Sequence, residues 1–294
     1  MASGYSTLTT LTELVPEITL QCAYIYQDKA LGRSLVNVKD ISDQPGVTVE
    51  FPRFTEVAGD TAFSNNYDSP TSHAMDSGQG SNPSLTIARR AVFVLVTDMA
   101  IKGANTDTAA IGKAMAMAQV KQDDAAIFGI VTGTTNWTTA TGATNAAFGL
   151  GYVKDGILLL EKNEIDDVLA CVVHPHQYDS IRDELTPVAN DDGIAVPQAG
   201  EMLRTAFVST MFGAQWFKSN RIGSGTVSDT GNCYNGLLFP IGEGIGYAYS
   251  SLVVDGIEFE RDAEAASTKM IINYADSAGV VYDSAVCKLY STSS

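Results

Sequence analysis

Asn105-Thr-Asp-Thr-Ala-Ala-Ile-Gly-Lys-Ala-Met-Ala-Met-Ala-Gln-Val-Lys-Gln-Asp-Asp-Ala-Ala-Ile-Phe128 is the clearest helix in this sequence. Its first four residues offer capping oxygens, and neither Pro nor Gly interrupts it between Lys113 and Phe128. Over Asp107–Phe128 it would run roughly 33 Å. Small Ala and adaptable Met side chains dominate residues 109–118, which suits close packing of neighbouring elements. A Thr/Gly/Asn-rich loop over 132–145 ends it.

Upstream, Val36, Val38, Val47, Val49 and Phe51 alternate with polar residues around Asp43-Gln44-Pro45-Gly46, which predicts a hairpin over 35–56. Residues 59–83 are poor in aliphatics and rich in Ser, Asn, Asp and Gly. The run Ser84-Leu-Thr-Ile-Ala-Arg-Arg-Ala-Val-Phe-Val-Leu-Val96 then reads as a strand. The simplest arrangement is a two-stranded arm, Val47–Phe54 outward and Leu85–Val94 back, with an irregular tip. Such a ribbon is marginal alone in water and needs a partner surface. Further upstream, Leu14, Ile18, Cys22, Ile25 and Ala30 recur at near-helical spacing, with Pro16 in an early turn and Gly32 marking the helix end.

Downstream the pattern becomes mixed α/β. Tyr152–Asn163 reads as an amphipathic helix, and Asp167–Val173 as a short, fully buried strand. Pro175 opens a helix on which Tyr178, Ile181 and Leu185 share a face. Strands are predicted at 213–222 and 234–239, then at Ile257–Glu260, Met270–Tyr274 and Val286–Tyr290, the last three returning to the long helix.

A chain of 294 residues holds one large or two modest domains at roughly 100–200 residues each. Its 45% hydrophobic and 18% charged content is globular composition. The net charge of −16 argues against gripping DNA, whose phosphates are met by Lys and Arg. No run of 18 apolar residues exists to span a bilayer as a helix. The start, with its first basic residue at Lys29, lacks the form of an export signal. Cys22, Cys171, Cys233 and Cys287 are widely spaced, which predicts reduced, mostly buried thiols.

The best metal candidate is Cys171-Val-Val-His174-Pro-His176. On a regular strand Cys171 and His174 face opposite ways, and the only other histidine, His73, lies in the arm tip. No metal, cofactor or catalytic residue is therefore expected. There is no Gly-x-Ser-x-Gly elbow, and Gly242-Glu-Gly-Ile-Gly-Tyr reads as a turn where backbones approach closely. The acidic pairs Asp123-Asp124, Asp166-Asp167 and Asp191-Asp192 read as solvated surface. Arg89-Arg90 is the one basic doublet, placed so that at least one side chain can meet acidic groups on another subunit. What remains is architectural, with parts that cannot bury their own faces on a monomer.

The ordered set of parts resembles the major capsid proteins of tailed bacteriophages, which share the Hong Kong 97 fold. The opening Thr10-Leu-Thr-Glu-Leu-Val-Pro16-Glu-Ile and the later Gly46-Val-Thr-Val-Glu-Phe-Pro52-Arg-Phe are similar to the start of a podovirus-type capsid family. The segment Ala170-Cys-Val-Val-His-Pro-His-Gln-Tyr178-Asp-Ser-Ile-Arg-Asp-Glu-Leu185 resembles the central strand–His-Pro–helix element. Gly256-Ile-Glu-Phe-Glu-Arg-Asp and Ser277-Ala-Gly-Val-Val-Tyr-Asp-Ser-Ala-Val resemble the closing strands.

The resemblance implies an α+β fold. An N-terminal arm (1–33) is followed by an extended loop, or E-loop, with its base strands (34–102). A peripheral domain (103–149 and 251–294) carries the long helix as its spine, and an axial α/β domain spans 150–250. It also implies pentamers and hexamers that form an icosahedral shell around double-stranded DNA in the virion, assembled in the host cytoplasm. Arg53, Phe54, Arg89 and Arg90 are the expected intersubunit contacts. The implied partners are further copies of the chain, a portal protein, a separate scaffolding protein and a cement or decoration protein. No membrane is involved. Some relatives cross-link through a Lys in the E-loop; residues 40–101 contain none, which predicts a non-covalent shell. Family-like sequence begins by about residue 7, leaving no room for a cleaved scaffolding extension. The rival readings are an encapsulin-like nanocompartment shell, an acidic α/β metal enzyme using His174 and His176, and a surface β protein.

Overall fold

In the computed structural model the described residues are 30–42, 46–51, 83–97, 108–132, 140–143, 146–165, 167–185, 210–226, 232–250, 257–262 and 264–292. Two sheets and a short ribbon are organised around the long helix. The elements are α1 (Leu31–Leu35), β1 (Asn37–Asp40), β2 (Thr48–Glu50), β3 (Ser84–Thr86), β4 (Ala88–Thr97) and α2 (Thr108–Gly129). Then come β5 (Ala140–Gly142), α3 (Leu150–Lys162), β6 (Leu169–Val173), α4 (Pro175–Leu185), β7 (Thr210–Met211), β8 (Ala214–Lys218) and β9 (Ser224–Thr226). The chain closes with β10 (Asn232–Pro240), β11 (Ile245–Ser250), β12 (Glu258–Asp262), β13 (Ser267–Val280) and β14 (Cys287–Thr292).

The first sheet is built on β13, a strand of 14 residues. Its first half lies between β4 on one side and β12 on the other, both antiparallel, and its second half pairs with β11. β1 adds to β11 in parallel. α2 covers one face of this sheet. Met115 and Ala116 are fully buried there against Val96, Ile257 and Met270, with Ile111, Val94 and Ile272 around them.

The second sheet runs β5-β14-β10-β6-β8-β7, with β9 also on β10. Every residue of β6 is buried, because both faces of the strand are covered. Leu169, Cys171 and Val173 point to one core with Val153, Ile157 and Leu160 of α3 and Ile181 of α4. Ala170 and Val172 point to the other, with Leu237, Phe239, Ile127 and Phe128. α2 thus inserts its middle into the core of the first sheet and its end into that of the second. At about 25 cal/mol per Å² of apolar surface, this double burial fixes the helix far more firmly than its propensity alone.

The arm is present at its base. β2 and β3 form an antiparallel ribbon with Thr48 opposite Thr86 and Glu50 opposite Ser84. Val49 and Phe51 anchor it against Ile41, Ala248 and Val281. The tip at 59–83 lies outside the described residues apart from Pro83.

Five expectations change. The hairpin over 35–56 does not form: β1 leaves β2 and pairs with β11, since Val36 and Ile41 are buried only against the larger sheet and the ribbon base. The returning arm strand splits at Ile87, so that Ser84–Thr86 stays in the ribbon and Ala88–Thr97 joins β13. Residues 140–142 inside the expected loop pair with β14, and β14 itself closes the second sheet rather than returning to the spine. The glycine-rich stretch turns over residues 241–244, with Gly242 at φ +86°, but from Ile245 it runs on as β11. The close approach there is real: a Cβ on Gly246 would meet Phe51 at 2.9 Å and Val281 at 2.8 Å.

Candidate assembly surface

Arg89 and Arg90 sit side by side on β4 and face opposite ways, as alternation requires. Arg89 is exposed. Arg90 turns inward to an ion pair with Asp276 of its own chain, whose side chain is fully buried while that of Arg90 is 39% exposed. Arg53 and Phe54 lie outside the described residues.

Around Arg90 the inner face of the sheet, α1 and α2 share a buried polar cluster. Tyr274 Oη donates to Gln122 Oε1 at 2.6 Å. The Gly32 backbone N–H donates to Asp124 Oδ1 at 2.8 Å. The Arg33 guanidinium lies 4.0 Å from the ring centroid of Tyr249. Asp123 and Asp124 are both buried, which overturns their reading as solvated surface. The physical reason is local: they fall on the side of α2 that receives α1 and β13. The other two doublets differ, with Asp167 exposed and Asp166, Asp191 and Asp192 outside the described residues. Burial pushes the Asp276 carboxyl up to about 6 against the pull of Arg90, and burial also raises Asp124 against the hydrogen bond from Gly32. Gly32 does not end a helix. It lies inside α1, where a Cβ would meet Ile127 at 2.8 Å and Asp124 at 2.9 Å, while the helix expected before it lies outside the described residues.

The residues of the metal candidate point apart. Cys171 is wholly buried in the α3/α4 core, where desolvation drives its thiol far upward. His174 and His176 leave the strand end and stack with Tyr234, ring centroids 4.4 and 4.6 Å away. His174 Nδ1 accepts the His176 backbone N–H at 3.3 Å, and burial followed by the neighbouring His176 lowers the His174 pKa. Among the described residues no group of three or more His, Cys, Asp or Glu can hold a metal ion, and no helix is long and apolar enough to cross a membrane.

What the described surface does carry is an uncovered sheet face. On the side of β4 and β13 away from α2, Phe93 is 63% and Leu95 56% exposed. Ile271 stands opposite Phe93 and Lys269 opposite Leu95. The Lys269 ammonium lies 5.1 Å from the Phe93 ring centroid. Apolar side chains in a row on one face mark a surface for another molecule. The exposed strand alternation of 84–96 was visible in the sequence; which face α2 would leave open was not.

Solved structures share this fold. A solved chain from Mycobacterium phage Che8 superposes at TM-score 0.64, with 17% identity, over 88% of this chain and 90% of that one. The capsid of Ralstonia phage GP4 matches at TM-score 0.67 with 10% identity, over 88% and 87% of the two chains. The SrpI encapsulin from Synechococcus elongatus PCC 7942 shares the fold at TM-score 0.54 with 12% identity, over 98% and 91%. No curated protein matches the sequence. Residues 82–287 match the phage capsid protein family, and the chain belongs to that family. It is a phage major capsid protein, a structural subunit of the virion shell.

Proposed function

We propose that this subunit builds the icosahedral shell of a tailed double-stranded DNA phage on the Hong Kong 97 plan, as pentamers and hexamers held without covalent cross-links. The observation that carries this reading is the pairing of an anchored ribbon, β2–β3, with an apolar sheet face that its own described residues leave open. A projecting ribbon and an uncovered face are complementary halves of a repeating contact. In this reading residues 1–33 form the N-terminal arm and 34–102 the E-loop with its base. The peripheral domain rests on α2 with β12 and β13. The axial domain is built on 150–250, its sheet completed by β5 and β14.

Burial of apolar area between copies, at the scale of an obligate interface, supplies the stability of the shell. The acidic chain keeps packaged DNA from adhering to the wall. A separate scaffolding protein, a portal and a decoration protein complete the assembly, which takes place in the host cytoplasm. The absence of Lys from residues 40–101 supports the non-covalent shell.

Negative-stain electron microscopy of the purified protein, with and without salt and a co-expressed scaffold, tests the proposal. Closed shells or rings of five and six subunits are the expected result. A monodisperse monomer under every condition refutes it. The shared fold with an encapsulin favours one alternative, a cargo-enclosing nanocompartment. Purified particles carrying an enzyme instead of DNA would decide for it.

A further inference from the structure

We infer that His174 is an acid-sensitive lock: its neutral ring caps helix α4, and protonation releases the helix from the end of the second sheet. The lock is a property of the single chain and does not require the shell.

The start of α4 is a capping box with histidine in the capping position. The His174 carbonyl accepts the first helical bond from the Tyr178 N–H at 3.0 Å. Its ring nitrogen Nδ1 accepts the His176 N–H at 3.3 Å, a role usually filled by a Ser, Thr, Asp or Asn oxygen. Gln177 Oε1 reciprocates by accepting the His174 backbone N–H at 3.2 Å. Pro175, at the first helical position, has no N–H to satisfy.

Gln177 carries the cap into the sheet. It is buried, and its Nε2 donates to the Tyr234 carbonyl on β10 at 3.0 Å and to Ser291 Oγ on β14 at 3.3 Å. One side chain thus ties the helix start to the end of β6 and to two neighbouring strands.

An imidazole caps only while Nδ1 keeps its lone pair. Protonation removes the acceptor, orphans the His176 N–H and sets a cation at the positive end of the helix dipole. The surroundings do little to hold that charge. From β10 the Tyr234 ring covers His174, and from α4 His176 stacks on it at 5.4 Å and repels it once charged. Beyond β8, Lys218 is directed to the Tyr178 ring, and Asn220 hydrogen-bonds the imidazole and favours its charged form. Among the described residues no carboxylate acts on His174. Burial and His176 outweigh Asn220, so the ring charges only below its ordinary value of 6.5.

Hydrogen exchange by mass spectrometry on the full chain at pH 5 and 7.5, corrected for intrinsic exchange, tests the lock. In the parent protein, protection of residues 176–185 should fall about five- to ten-fold at pH 5, the loss expected for one helix cap. The strand ends held by Gln177, residues 233–235 and 290–292, should loosen with it, while 111–128 keeps its protection. His174→Asn retains a cap that does not titrate and should abolish the pH dependence. His174→Ala should show low protection at both pH values.

Unchanged protection of 176–185 in the parent overturns the inference, and that result needs no variant. A loss confined to α4 that leaves those strand ends protected also overturns it. So does a loss spread evenly over both sheets, which is global unfolding, or an equal loss in His174→Asn, which places the proton elsewhere.

Discussion

Arg90 on β4 and Asp276 on β13 form an ion pair across the ladder, diagonal to the backbone pair Arg90–Tyr274. The carboxylate is sealed in while the guanidinium keeps part of its surface in water. Removing Arg90 would leave a buried charge with its strongest cation gone. Arg90→Ala is expected to lower stability by about 1–3 kcal/mol at pH 7.5, less than for a wholly buried pair because water screens the guanidinium. The loss should shrink near pH 5, where Asp276, with a pKa of about 6, is mostly neutral and has less need of a cation. Denaturant unfolding at the two pH values checks this, and an equal loss at both would contradict it.

A contrast between two glycines tests the packing of α1 on α2. A Cβ at Gly32 would press on Ile127 and Asp124, whereas one at Gly129 meets nothing within 4 Å. Gly32→Ala should destabilise by about 1–3 kcal/mol through overpacking. Gly129→Ala should be neutral or stabilise by up to about 1 kcal/mol, since alanine suits a helix better. Thermal melts of the two variants beside the parent protein give the comparison.

Much of this fold was legible in the sequence, and the failures share a cause. The long helix, the buried strand at 169–173 and the helix opened by Pro175 stand out because periodicity, caps and Pro positions are local signals. The arm base was legible for the same reason. The destination of β1 was not, because its partner β11 lies more than two hundred residues away and its valines alternate equally well in a hairpin. β11 itself was hidden by Gly244 and Gly246, whose role is to let Val286, Val281 and Phe51 approach. Asp123 and Asp124 read as surface since nothing nearby in sequence announces Gly32, Tyr274 or Asp276. Of the expected contact residues, the doublet 89–90 lies on β4 with its side chains on opposite faces as alternation requires, but which arginine turns inward depends on which face α2 covers.

The middle and the C-terminal end of α2 are expected to be hot regions for stability. Met115 is fully buried between β4 and β13, and Phe128 is fully buried in the core of the second sheet. Met115→Ala should cost about 2–5 kcal/mol and Phe128→Ala about 3–5 kcal/mol. If the helix couples the two cores, each variant should lower the unfolding of both sheets in one transition. Hydrogen exchange resolved by segment gives the readout. Loss of protection confined to one sheet would show that the cores unfold separately.

Charge sets the expected salt dependence of assembly. Copies each carrying −16 repel one another, and the repulsion reaches about 30 Å at 0.01 M salt but only about 8 Å at 0.15 M. Light scattering should show faster assembly, at lower protein concentration, as salt or divalent cations are added. Assembly that is best at the lowest ionic strength would mean that ion pairs between subunits outweigh the net repulsion.

Two groups with opposite displacements should shape the acid side of the stability curve. Asp276 has a folded pKa raised to about 6 from an ordinary 3.8. Its contribution is therefore fully present below about pH 4 and is lost as pH rises towards 6. His174 is lowered from 6.5 by burial. Its contribution is present above 6.5 and is lost as pH falls through the depressed value. Between pH 4 and 6.5 the two slopes oppose, so the parent protein should show a flattened profile there. Asp276→Asn should tilt the profile towards the His174 slope, with stability rising more with pH than in the parent, Asp124 remaining as the opposing group. His174→Asn should expose the Asp276 slope, with stability falling over the same interval. Unfolding midpoints of the three proteins across that range decide the matter, since a purely structural role for either residue would shift the whole curve without changing its slope.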